Sequence, residues 1–185
     1  RLQKFRDDLP DIDLRIQTAD RDVNLLAEDI PLGIRGGAPS DWPDYNLLRI
    51  ADEEICAVAG PSYVARAGQP LTPADIASHQ LIHLEEPIRA AASWRDWFRS
   101  AGISGSAANR GLLINDYVLV IQAVMEGQGI GLGWRHLTDR LVASGLLVQI
   151  TDHVMRTGFA FHVAWPKNRE LSQSARTVRD WLTSQ

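Results

Sequence analysis

The amino-acid sequence predicts an α/β protein, with strands covered by helices on both faces and the chain divided into two lobes. Three observations predict it. Apolar stretches of strand length alternate with segments of helical period, the order that yields parallel sheets. Two extended stretches, residues 47–58 and 157–165, are long and lack a tight turn, so each can cross between lobes. The chain has 185 residues, 45% of them hydrophobic. That suits one or two domains burying roughly 70% of the unfolded surface.

The elements follow in order. Leu2, Phe5 and Leu9 share a helical stripe that Pro10 ends. Asp11-Ile12-Asp13-Leu14-Arg15-Ile16 alternates polar and apolar, which predicts a strand. Asp20 can cap a short helix holding Val23, Leu25 and Leu26. Residues 31–35 read as a buried strand opening into a loop at Gly36 and Gly37, and Gly60-Pro61 breaks the first crossing stretch. Thr72-Pro73-Ala74-Asp75 starts a helix: cap, first-turn proline, and an acid at the positive helix end. Residues 81–84 form a strand. Ser93-Trp94-Arg95-Asp96 is a capping box leading a helix with Trp94, Trp97 and Phe98 on one face. Residues 112–114 predict a buried strand, after which Asn115 or Asp116 caps an apolar helix over 117–125 that Gly127 and Gly129 end. A strand (130–134), a short helix (137–141) and two strands (146–150 and 159–165) follow, then a helix with Leu171, Ala175, Val178 and Leu182 on one stripe.

Composition narrows the function classes. The net charge is -4, with 7 basic against 13 acidic residues in positions 1–60 and 12 against 10 in the remainder. Without a Lys/Arg cluster, the chain is a poor nucleic-acid binder by itself, since phosphate neutralisation dominates that affinity. No apolar run approaches the roughly 20 residues of a membrane span. Cys56 is the single cysteine, read as a buried apolar residue; it excludes an intrachain disulfide and suits a reducing cytoplasm. The five histidines, at 79, 83, 136, 153 and 162, show no ligand spacing, so neither a metal nor a cofactor is expected. Nucleophile-elbow, zinc-helix and phosphate-loop motifs are absent, so no catalytic residues and no enzyme are expected. Gly127-Gln128-Gly129-Ile130-Gly131 follows a helix and precedes a strand, the reverse of a phosphate cradle.

Chemistry is expected at the carboxyl ends of the strands, where open α/β sheets bind ligands. Arg35 can hold a ligand carboxylate with its guanidinium fork, or pair with a protein carboxylate. Asn115 and Asp116 cap their helix, whose free N–H groups and dipole can also hold an anion. Trp94 is read as core that can also stack on a ligand, His83 as a packing residue that can line a cleft, and Gly36 as allowing close backbone approach.

Taken in order, several motifs resemble the effector-binding domain of LysR-type transcriptional regulators. They are Pro10 to Arg15, Glu28-Asp29, Gly33-Ile34-Arg35, Ala57-Val58-Ala59-Gly60-Pro61-Ser62-Tyr63 and Leu81-Ile82. Further on come Trp94-x-x-Trp97-Phe98-x-x-Ala101-Gly102, Gln122-Ala123-x-x-x-Gly127-Gln128-Gly129-Ile130-Gly131-Leu132, Gly145-Leu146-Leu147-Val148 and Val178-x-x-Trp181-Leu182. The tryptophan pair resembles the glycine-cleavage-activator branch.

The resemblance implies two Rossmann-like subdomains of periplasmic-binding-protein type II architecture joined by two crossing strands. Residues 1–56 and 158–185 would form subdomain I, lacking the family's first strand and the Ser/Thr loop after it, and residues 57–157 subdomain II. It implies a cytoplasmic regulator with its effector in the interlobe cleft, and the Arg35 fork and the helix start at Asn115 and Asp116 make a small, anionic metabolite the expected one. Its expected contacts are Arg35, Gly36, His83, Trp94, Asn115, Asp116, Gly129 and Ile130. It implies an antiparallel homodimer using the helices at 2–9 and 117–125, no membrane partner, and DNA contact only through a winged helix-turn-helix outside this sequence. Where the family often has Asp-x-x-Ile-Arg, this chain has Pro31-Leu32-Gly33-Ile34-Arg35, so a carboxylate that would orient Arg35 is missing. An extracytoplasmic solute-binding protein on the same fold is the alternative.

Overall fold

The structure, a computed structural model, describes residues 2–19, 22–68, 71–85, 92–104 and 111–184. Asp20, expected as a helix cap, lies outside them. The chain divides into two compact units, Arg1–Ile50 with Phe161–Gln185, and Ala51–Ala160. Both divisions fall inside long strands, β2 (Tyr45–Ala59) and β6 (Val148–Pro166), at other positions than the 56/57 and 157/158 boundaries the resemblance implied. β6 is one strand where two were expected. Gly158, at φ 83°, takes a backbone conformation open to glycine and lets the strand continue.

Unit 1 holds α1 (Leu2–Asp8), β1 (Gly33–Gly37), α7 (Gln173–Thr183) and the adjoining parts of β2 and β6, in strand order β1-β6-β2. Its core gathers Phe5, Leu25, Trp42, Val163, Leu171 and Val178. Phe5 meets Trp181 edge-to-face at 5.2 Å, and the Trp181 indole donates to Asp8 at 2.8 Å, which ties α1 to α7. The segment Asp11 to Ile16 forms no strand. Leu14 and Ile16 are 43% and 62% exposed, and no described strand pairs with it. Alternation makes a strand only where a neighbour supplies backbone partners and cover.

Unit 2 holds α2 (Pro61–Ala67), α3 (Pro73–Ile76), β3 (Leu81–Leu84), α4 (Trp94–Ser100), β4 (Gly111–Ile114), α5 (Tyr117–Met125), β5 (Ile130–Trp134) and α6 (Arg135–Ala143). Its strand order is β6-β2-β5-β3-β4. β3 runs parallel to β4 and β5, as crossover connections require, but β2 is antiparallel to β5, with Ile55 opposite Trp134 and Ala59 opposite Ile130. The all-parallel expectation fails for β2 because no strand–helix–strand crossover joins it to β5. α5 lays Val120, Ile121 and Val124 onto Cys56, Val58, Ile82 and Leu147. On α4, Trp94, Trp97 and Phe98 are all buried, with ring centroids 5.4–5.5 Å apart. Three buried aromatics anchor a seven-residue helix that is too short to hold by itself.

Candidate functional site

The carboxyl ends of β3 and β5 in unit 2 enclose a small recess of about 30 Å³, space for roughly one water. His83 and Leu84 of β3, Ser93 and Trp94 at the start of α4, Val120 of α5, and Leu132 and Trp134 of β5 line it. Two tryptophans wall it, and the ring N–H of each is already engaged. Trp94 Nε1 donates to the Ile82 carbonyl at 2.9 Å, and Trp134 Nε1 to Glu53 Oε1 at 2.9 Å. Neither indole therefore offers a donor to a ligand; both offer apolar ring surface. Ser93 is similarly engaged, since its hydroxyl and Asp96 form the capping box of α4. This hydrogen bond holds the Asp96 carboxyl below the usual aspartate range.

Trp134 is held along its length. Its backbone N–H donates to the Tyr117 hydroxyl at 3.1 Å, and the Tyr117 ring stands edge-on to the indole at 5.0 Å. Burial pushes the Tyr117 phenol well above its ordinary value, keeping it neutral. On the next residue, Arg135 pairs with Glu54 at 2.9 Å, and Arg156 reaches the same carboxylate at 2.8 Å.

The expected site residues divide. His83 and Trp94 meet in the recess. Asn115 and Asp116 follow β4, whose carboxyl end lies beside that of β3. Asn115 is exposed. Asp116 caps α5 by accepting from the N–H groups of Val118 and Leu119 at 2.8 and 3.1 Å. The anion hold expected at this helix start is thus taken by the protein's own carboxylate, whose charge opposes a second anion.

Gly129 and Ile130 do not join the recess. Ile130 is fully buried at the first position of β5, paired with Leu81 at the first position of β3, and its N–H donates to the Gln80 carbonyl at 2.8 Å. Both residues therefore sit at the amino ends of the strands, roughly 7–10 Å along from His83 and Leu84. The residue on β5 that sequence reasoning missed is Trp134 at the opposite end. The carboxyl-end rule applied to that strand points to it.

Arg35 and Gly36 belong to β1 in unit 1. Arg35 Nη2 donates to the Val23 carbonyl at 2.6 Å, and the guanidinium lies 5.0 Å from the Trp42 ring centre. The Gly36 carbonyl accepts from the Trp42 indole at 3.0 Å. Arg35 Nε is buried without a partner among the described residues. Among the described residues, a main-chain oxygen and an aromatic ring thus orient Arg35 without a carboxylate. No group of His, Cys, Asp and Glu able to hold a metal occurs among the described residues, and no helix in them is long and apolar enough to cross a membrane.

Comparison with known proteins places the chain. Among curated relatives, it is 29% identical over 183 residues to the glycine cleavage system transcriptional activator of Escherichia coli K12, covering 98% of this chain and 58% of that protein. It is 27% identical to the HTH-type transcriptional activator AmpR of Rhodobacter capsulatus, covering 100% of this chain and 61% of that one. The chain therefore spans about three fifths of these relatives. Among solved structures, the AmpR effector binding domain from Citrobacter freundii superposes with a TM-score of 0.79 at 22% identity, covering 99% of this chain and 88% of that one. The effector domain of Pseudomonas aeruginosa AmpR gives 0.77 at 24%, covering 100% and 85%. The fold is thus the mixed α/β, type II periplasmic-binding-like fold of LysR effector-binding domains. The LysR substrate binding domain family matches residues 1–185 in full, and the chain belongs to that family.

Proposed function

We propose that this chain is the sensing part of a cytoplasmic transcriptional regulator and that it binds a small metabolite without transforming it. The observation that carries this reading is the recess at the carboxyl ends of β3 and β5, walled by Trp94 and Trp134 with His83 beside them. At about 30 Å³ it takes a terminal group of a ligand, not a whole metabolite. An anionic ligand is supported by Arg35, which keeps a buried, unmatched N–H. The relatives are transcriptional activators longer than this chain, which supports a DNA-binding segment elsewhere in the full protein and gives the solute-binding alternative no support. A ligand regulates such a protein only through unequal affinity for two conformations.

A homodimer is part of the proposal. On α5, Val118 and Leu119 are 73% and 52% exposed, and the edge strand β4 leaves Leu112 and Leu113 open. On α1, Leu2 is exposed. These faces support pairing of α1 with α5 of a second copy. Thermal-shift screening of metabolites, repeated on His83→Ala and separately on Arg35→Ala, tests the recess and the preference for an anion one at a time. A metabolite should raise the melting temperature of the parent protein and lose most of that effect in His83→Ala, and an anionic one should be weakened in Arg35→Ala. Undiminished binding in His83→Ala would overturn the assignment of the recess. Light scattering on Leu119→Glu tests the pairing: the parent should be a dimer and the variant a monomer, and a dimer unaffected by the change would exclude α5 from the interface.

A further inference from the structure

We infer that Glu53 is the positioning residue that sets the width of the unit 2 recess and so the size of the ligand group it admits; this rests on reading that recess as a ligand site. Glu53 does not line the recess. It acts through Trp134, whose indole has a single donor, Nε1. That donor ends on Glu53 Oε1 at 2.9 Å, while Glu53 Oε2 accepts from the Thr157 hydroxyl at 2.6 Å. The carboxylate is therefore fixed at both oxygens, by β5 on one side and β6 on the other.

The strand register explains the arrangement. Ile55 of β2 faces Trp134, so Glu53, two residues earlier, is the diagonal neighbour on the same sheet face. Glu54 points to the other face and holds Arg135 at 2.9 Å. Two successive acids of β2 thus clamp two successive residues, the last of β5 and the first of α6. The opposite wall, Trp94, is fixed independently by its bond to the Ile82 carbonyl. With both indoles pinned, the recess stays near 30 Å³. Releasing the Trp134 indole from Glu53 frees the wall whose ring N–H a side chain outside the recess holds, since the Trp94 ring N–H ends on a main-chain carbonyl.

The test uses indole N–H resonances in two-dimensional nitrogen–proton spectra. Trp134→Phe and Trp94→Phe assign the two recess indoles among the six tryptophans. Acetate, propionate, butyrate and valerate serve as probes of graded length. In Glu53→Ala the Trp134 N–H should exchange about tenfold faster or more, since it loses a charge-assisted bond, while Trp94 keeps its protection. The preferred probe should lengthen. Glu53→Gln retains a carbonyl acceptor and should restore the parent's exchange and preference. Thr157→Val frees one carboxylate oxygen without touching Trp134 and should give a smaller shift the same way, which covers failure of Glu53→Ala to fold.

A merely structural role would lower the melting temperature and leave the order of probe affinities unchanged, and that result overturns the inference. Unchanged exchange at Trp134 in Glu53→Ala overturns it as well, leaving the recess as a ligand site intact. If no carboxylate moves either recess indole in any variant, both the recess and the role of Glu53 fall.

Discussion

Replacing Gly60 by Ala tests how closely α5 is docked. Gly60 follows β2 and is the N-cap of α2 at φ -73°, a value any residue adopts, so backbone strain plays no part. A Cβ there would lie 2.6 Å from the Val124 carbonyl oxygen and 2.7 Å from that of Met125. Ordinary carbon–oxygen contacts fall near 3.3–3.6 Å, so the end of α5 or the β2–α2 junction must yield by roughly 0.6–1 Å. Both obstacles are backbone atoms, and no rotamer change relieves them. Overpacking of this kind costs about 1–3 kcal/mol. For a chain of this length each kcal/mol moves the melting temperature by roughly 2–4 °C, so the variant should melt about 2–12 °C lower. Scanning calorimetry of Gly60→Ala beside the parent measures it. A variant as stable as the parent would show that the last turn of α5 is not held against β2, and the placement of α5 would be wrong.

Two further predictions follow from local chemistry. Ser93→Ala removes the cap of α4 and should cost about 1 kcal/mol near neutral pH. The Ser93 hydroxyl holds Asp96 below its ordinary value of 3.8, so the stability it brings is present above that value and is lost as pH falls through the lower folded value. Denaturant titrations from pH 6 down to about pH 2 should therefore show the difference between parent and variant shrinking on the acid side; a constant difference would exclude the Asp96 hydrogen bond. Burial pushes the Cys56 thiol up to about 11, so at neutral pH it is a thiol, not a thiolate. Native protein should resist a thiol–disulfide reagent for hours while unfolded protein reacts at once, and rapid native labelling would contradict the packed α5–β2 layer.

Elements fixed by local chemistry were legible in the sequence. The capping residues Thr72, Ser93 and Asp116 each accept from N–H groups within three residues, and each starts the helix expected of it. α2 was missed because Gly60-Pro61 was read only as a break. Proline at the first helical position is also a start signal. The segment from Asp11 to Ile16 has a strand's pattern but no described partner, and pairing is a tertiary fact that alternation cannot supply. Of the expected site residues, His83, read at a strand end, and Trp94, read as core able to stack on a ligand, line the recess, whereas Gly129 and Ile130 lie at the opposite, amino end of β5. Trp134 stands at the carboxyl end of β5, where the carboxyl-end rule points, but its tie to Glu53, 81 residues away in sequence, rests on a register that only the folded sheet defines.

The most direct measurement is a titration of the protein with the metabolite that most raises its melting temperature, followed at the indole N–H groups of Trp94 and Trp134. Ligand seated between these walls should move both resonances together and saturably, with a midpoint matching the thermal shift. Saturable binding that leaves both resonances still, while other tryptophans respond, would place the ligand elsewhere.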